Sequence, residues 1–357
     1  MIARMKYIVS SLLVAVVAIG FASCEHKDLC YHHPHTVKII VNFDWAFAPD
    51  ADPTGMCLYF YPQDGGKPRR FDLSKTGGEI SINVGKYNVI AYNNDTDSIK
   101  YTAGGFYEHK LYTRECNIFE PVGKSVRADV IPRPKGTEEA PVRLSPDIMW
   151  GCSAREIEIT DVGTSFEHEV IDSSMKGPQL VIDSKDEYEF TFYPEEIICT
   201  YTYEIHNLNN LKYTGEMCGI ISSMSGEFYP ATGALGTDYV TVPFESRRRL
   251  SDNVIYGRFY TFGQHPDFDD RHYLMLYIWY SDQYIYPFLW EVTDQVHDAP
   301  DQRHVHIILD ATGMELPDPI INGSGFIPSV AAFIPVYEDI TRYYISRSAS
   351  EPSKKTY

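Results

Sequence analysis

Thr36-Val-Lys-Ile-Ile-Val-Asn-Phe-Asp-Trp45 decides the architecture. Val37, Ile39, Val41, Phe43 and Trp45 fall on one face of an extended chain, and Lys38, Asn42 and Asp44 fall on the other. A side-chain period of two with one apolar face is a half-buried strand, since a helix would repeat at about 3.6 residues. Working outward, 58–61, 80–84, 87–92 and 125–131 read the same way. Between them, Asp64-Gly-Gly66 and Lys75-Thr-Gly-Gly78 supply the positive-φ positions that hairpin turns require. No stretch here keeps a helical apolar period, so residues 36–131 are expected to form one all-β module.

Pro132, Pro134, Gly136, Pro141 and Pro146, with Glu138 and Glu139, then read as a stiff, solvated linker over 132–147. A second β module is expected over 148–311. Tyr188, Phe190 and Phe192 alternate with Glu187, Glu189 and Thr191, and strands are expected at 198–205, 217–222, 239–244, 254–261, 272–280 and 305–309. Residues 206–212 carry enough for one short helical turn. The 272–280 stretch is apolar on both faces, Leu274, Leu276 and Ile278 against Tyr273, Met275, Tyr277 and Trp279, so it should be central and covered on each side. Short strands separated by turn residues predict two β-sandwiches in tandem. Without crossover helices, doubly wound and α/β-barrel folds are excluded. Beyond 311 a tail (312–357) holds two apolar runs, 331–337 and 340–345, that could add one or two strands, and 346–357 is expected to be disordered.

Composition agrees. The chain has 357 residues, room for about two domains. With 44% hydrophobic and 22% charged residues it is neither disordered nor a coiled coil. Lys+Arg 31 against Asp+Glu 49 gives −18, which argues against a phosphate-binding, nucleic-acid role.

The N-terminus reads as an export signal over 1–23. Arg4 and Lys6 precede an uncharged apolar run that is too short for a comfortable membrane span of about 20 residues. Phe21-Ala22-Ser23-Cys24 resembles a bacterial lipobox, which makes Cys24 the predicted lipidation site and 24–35 a lipidated tether. Six further cysteines, Cys30, Cys57, Cys116, Cys152, Cys199 and Cys218, have no C-x-x-C spacing. Their pairing, or their survival as buried thiols, stays open.

Several stretches together resemble a family of lipoproteins with a domain of unknown function, related to fimbrillins and their Mfa-like anchor and tip proteins. They are Cys24-Glu-His-Lys-Asp-Leu-Cys30, Phe43-Asp44-Trp45, Val84-Gly85-Lys86-Tyr87, Pro146-Asp-Ile-Met-Trp-Gly151, Ile221-Ser-Ser-Met-Ser-Gly226, Ala231-Thr232-Gly233 and Arg303-His-Val-His-Ile307. The resemblance runs from Cys24 to about residue 311. It implies two transthyretin-like (Greek-key) sandwiches, an outer-membrane or cell-surface location through a lipid anchor, and fimbrial subunits as partners by strand addition. It further implies a role in fimbrial anchoring, assembly and adhesion. Lys27 is the sole basic residue between Cys24 and Lys38, so release of an N-terminal strand by proteolysis is not expected.

Candidate sites follow from residue chemistry. Trp150, Trp279 and Trp290, with Tyr280, Tyr284 and Tyr286, could offer flat faces to sugar rings. This makes a surface glycan-binding lipoprotein the alternative reading, with core packing as the competing use of the same rings. Phe333, Ile334, Val336 and Tyr337 form a greasy extended stretch that must find cover, either on this chain or as a strand offered to a partner. His32, His33 and His35 lie in the tether. His304 and His306 share a strand face, but each set is short of a rigid ligand sphere, and no metal or cofactor is expected. Asp50-Ala-Asp52-Pro-Thr54-Gly55 begins like a calcium loop but has Tyr61 where the closing Glu belongs. G-x-S-x-G, H-E-x-x-H and phosphate-loop motifs are absent, so a non-enzymatic protein is expected.

Overall fold

The computed structural model describes residues 36–124, 131–160, 163–165, 189–265, 271–280, 284–316 and 345–346. Cys24, Cys30, the tether histidines, the run at 125–130 and residues 333–337 lie outside them.

The chain is all-β. It opens with β1 (Thr36–Phe43), β2 (Gly55–Pro62), β3 (Arg69–Ser74), β4 (Gly77–Asn83) and β5 (Gly85–Asn93). Next come β6 (Ile99–Thr102) and β7 (Lys110–Thr113), then β8 (Trp150–Thr160), β9 (Gly163–Ser165), β10 (Glu189–Phe192) and β11 (Glu195–Glu196). The remainder is β12 (Cys199–His206), β13 (Thr214–Ser225), β14 (Glu227–Tyr229), β15 (Ala234–Leu235), β16 (Tyr239–Arg249) and β17 (Val254–Thr261). It closes with β18 (Tyr273–Tyr280), β19 (Ile285–Glu291), a five-residue helix α1 (Thr293–His297), β20 (His304–Asp310) and β21 (Ile345–Ser346).

One sheet runs β10-β1-β4-β3-β2-β5-β8-β11, with β9 on β8, and a second runs β20-β12-β17-β16-β13-β18-β19-β21. A small third sheet, β15-β14-β7-β6, takes strands from both halves of the chain. β1 behaves as its sequence requires: Ile39, Val41 and Phe43 are buried while Thr36, Lys38 and Ile40 face out. Gly77, at φ +111°, is obligatory in the β3–β4 turn, because a Cβ there would collide with the Val41 carbonyl oxygen.

β2 is buried on both faces. Met56, Leu58 and Phe60 enter the core of the first sheet, whereas Cys57, Tyr59 and Tyr61 enter a separate core with Tyr92, Phe106 and Leu111. Phe228, Ala231 and Phe262, from the second half, complete that separate core. At its centre His109 is fully buried, with Nδ1 at 2.5 Å from the Tyr61 hydroxyl and Nε2 at 3.1 Å from that of Tyr92. β18 is central, as its two apolar faces require. Leu274, Leu276 and Ile278 fill the core of the second sheet, and Met275, Tyr277 and Trp279 pack beneath Ile118, Phe119 and Ile131.

Two expectations change. The boundary at 147/148 does not divide the sheets: β8 pairs with β5, Tyr92 opposite Gly151, and β10 and β11 also belong to the first sheet. The physical reason is cover, since Cys152, Ala154, Ile157 and Ile159 of β8 complete the core that β1–β5 begin. The 132–147 stretch is also not a solvated spacer. Its proline-rich backbone offers carbonyls with few N–H groups, and side chains supply the donors. The Arg133 guanidinium donates to the carbonyls of Glu138 (2.7 Å) and Ala140 (2.9 Å), and Tyr277 Oη donates to that of Pro132 (2.6 Å). Arg143 N and Thr241 N then bond Thr241 O and Pro141 O along β16.

Candidate functional site

For a β protein expected to join others by strand addition, the sites to inspect are the sheet edges, where backbone N–H and C=O groups await partners. The first sheet covers part of each of its ends. β10 pairs in parallel with β1 at one end of the strand order, and β11 pairs antiparallel with β8 at the other. Only Tyr193 and Pro194 separate β10 from β11, so one short segment occupies both ends and the sheet curls shut. Pro194, lacking an N–H, sits at the switch point, where no ladder bond is lost.

The second sheet is covered differently. On the β19 side, β21 lies parallel, with Ile345 opposite Leu289 and Ser346 opposite Trp290. The tail therefore reaches its own second sheet, although Phe333, Ile334, Val336 and Tyr337 are not described. On the β20 side the side chain of Gln295, from α1, takes both backbone groups of Ile308. Gln295 Oε1 accepts from Ile308 N at 2.8 Å, and Nε2 donates to Ile308 O at 3.1 Å. Trp290 Nε1 donates to Asp310 O at 3.3 Å, tying the two ends of this sheet together. Nothing in the sequence singles out Gln295, because its role depends on a strand 13 residues on.

The candidate sugar-binding rings are not brought together. Trp290 is buried in the core of the second sheet, Trp279 lies on its opposite face against Phe119, and Trp150 stands on β8 of the first sheet. Tyr284 is exposed. Core filling has taken two of the three indoles. Trp150 meets Trp45 edge-on (centroids 6.4 Å apart), and the exposed Phe47 packs on Tyr193 (5.9 Å), a cluster that sequence spacing could not reveal. A shallow cleft of about 270 Å³ opens beside Lys135, Thr137, Tyr239, Arg271 and Tyr273.

His304 and His306 are both exposed on β20, but they serve different partners. His304 contacts Asp301 (2.8 Å) and Glu196 (3.0 Å), and the Asp301 hydrogen bond, ahead of Glu196, raises its pKa. His306 Nδ1 meets Thr202 Oγ1 at 2.8 Å. Among the described residues, no three His, Cys, Asp or Glu side chains converge on a metal-sized site. Asp52 pairs with Lys75 at 2.6 Å. Five cysteines, Cys57, Cys116, Cys152, Cys199 and Cys218, are free thiols. Burial pushes Cys57, Cys116, Cys199 and Cys218 up to about 12, and Cys152 up as well, so none is an activated nucleophile.

Residues 23–245 match the family model described as "Domain of unknown function (DUF5119)". The chain belongs to the DUF5119 family. Among curated proteins, this DUF5119 chain is 30% identical over 155 residues to a Bacteroides ovatus protein bearing the provisional name fimbrium anchoring subunit Fim4B. That match covers 43% of this chain and 40% of the relative, so the chain spans about two fifths of the length of the curated protein it matches. Among solved structures, a provisionally named adhesin of Bacteroides ovatus superposes with TM-score 0.55 at 20% identity, over 81% of this chain and 95% of that one. This establishes the fold alone. A weaker likeness, TM-score 0.43 at 10% identity over 77% and 91% of the two chains, is to the fimbrial anchor protein Mfa2 of Porphyromonas gingivalis.

Proposed function

We propose that this DUF5119 protein is a non-enzymatic, lipid-anchored outer-membrane protein, displayed at the cell surface, that acts in fimbrial anchoring or assembly and in adhesion. The observation that carries the reading is the 30% identity over 155 residues with the fimbrium anchoring relative. The covered edges support it. A subunit whose folded body covers part of each sheet end with its own short segments suits the end of a fibre better than a repeating position within it. In this reading Cys24 holds the acyl chains, and Phe333, Ile334, Val336 and Tyr337 form the strand that meets a fimbrial partner. Trp150, Trp279 and Trp290 belong to separate parts of the fold, which favours the fimbrial reading over a surface glycan-binding lipoprotein.

Cys24→Ala tests the anchor. Incorporation of an acyl analogue should disappear and the protein should move from the membrane to the soluble fraction, with fimbriae shed into the medium. Membrane fractionation that persists without label would defeat the lipid anchor, and fimbriae retained normally on cells carrying the soluble variant would defeat the anchoring role.

A further inference from the structure

We propose that α1 is a guard over a self-complementary strand edge, and that a second copy of this chain pairs with β20 once the guard is withdrawn. The inference starts from strand parity. β20 is parallel to β12 and joined to it through its odd-numbered residues, as in the bond from Thr200 N to Arg303 O and the one from Ala311 N to His206 O. The backbone groups of His304, His306, Ile308 and Asp310 therefore point outward, as the Ile308–Gln295 and Asp310–Trp290 bonds confirm directly. The same four side chains are exposed while Val305, Ile307 and Leu309 are buried, and Ile308 stands 57% exposed.

An outward row of this kind is a template for another strand. Gln295 occupies its middle by presenting an amide in the place where a neighbouring strand would present a peptide group. α1 is positioned for this from two sides. Val296 is buried in the core, and His297 Nε2 lies 3.1 Å from Nε2 of the fully buried His272. The helix has five residues and supplies no further ladder.

The occupant follows from charge. In an antiparallel, two-fold pairing of β20 with its own copy centred on Ile307, each outward residue meets another outward one. His304 then faces Asp310 of the second copy twice over, and His306 faces Ile308. Two imidazole–carboxylate pairs and one backbone ladder through His306 and Ile308 follow from one sequence, and directly opposed opposite charges favour such a pairing.

The test uses the full chain purified in detergent and followed by sedimentation velocity, with amide exchange at Ile308. Gln295→Ala should speed exchange at Ile308 and tighten dimerisation by at least about tenfold, equivalent to about 1.4 kcal/mol. Gln295→Glu, which can accept from Ile308 N–H but cannot donate to its carbonyl, should fall between. Adding Asp310→Lys to Gln295→Ala should restore the monomer by setting His304 against a cation. Faster exchange without dimerisation would overturn the self-pairing, and unchanged exchange would overturn the guard. A dimer that survives Asp310→Lys would overturn the proposed register.

Discussion

His109 is the polar centre of the tyrosine cluster on β2 and β5. Its ring is enclosed by Tyr59, Tyr61, Tyr92 and Tyr101, with one nitrogen donating to a tyrosine hydroxyl and the other accepting from one. Burial lowers its pKa from 6.5 to about 4. The folded state therefore resists protonation more than the unfolded chain does. The neutral ring's contribution is complete above about pH 6.5 and is lost as pH falls toward about 4, a change of about 3 kcal/mol. Urea denaturation of wild type and His109→Gln at pH 7 and pH 4.5 checks this. The variant should be less stable at pH 7 yet lose distinctly less on acidification, and equal losses in the two proteins would show that other groups carry the acid sensitivity. His109 was not legible as a hub in the sequence. A lone His beside Glu108 gives no sign that strands β2 and β5 will bring two tyrosine hydroxyls to its two nitrogens.

At the scale of elements, the proline-rich stretch behaves as part of the second sheet. Lys135 and Arg143 are the basic residues at which trypsin would nick a free linker, the Arg133–Pro134 bond being resistant, yet the guanidinium groups on either side of Lys135 are engaged, Arg143 Nη1 with Thr113 O at 2.8 Å and Arg133 with Ala140 O and Thr241 Oγ1. The expected outcome of limited trypsin digestion is slow cleavage at Arg143, with any product nicked there or at the exposed Lys135 staying together on gel filtration. Rapid cutting into two separable β-rich fragments would mean that these contacts do not hold in solution. Strands with a period of two or a short continuous apolar run were legible: β1, β4 and β12 fall where alternation puts them, and β5 and β18 where an apolar run does. β8 and β19 were not. β8 carries Arg155, Glu156 and Glu158 in a strand that bends at Glu156 (φ 57°), and β19 contains Pro287, which argues against a strand unless its neighbours are known.

For the whole molecule, the shared core predicts one cooperative unit. Phe228 is buried against residues of the first half, and its strand pairs with Leu111 of β7, while Lys110 and Glu227 form a 2.6 Å ion pair across the same join. Phe228→Ala should therefore cost about 3–5 kcal/mol and lower a single calorimetric transition. Two transitions with only one displaced would mean that the halves unfold independently.

Local patterning makes the chain all-β, gives β1 one apolar face and β18 two, and puts turns rather than long helices between the strands. Each of these is set by neighbours two residues apart, whose side chains project to known sides of an extended backbone. Only the tertiary structure decided that β8 to β11 return to the first sheet, that the prolines pack along β16, that the tryptophans go to separate cores and that Gln295 closes the β20 edge. Those outcomes depend on contacts between residues far apart in the chain. They are governed by which apolar faces still need cover and which backbone groups still need partners once the local strands exist, and no local pattern encodes that competition.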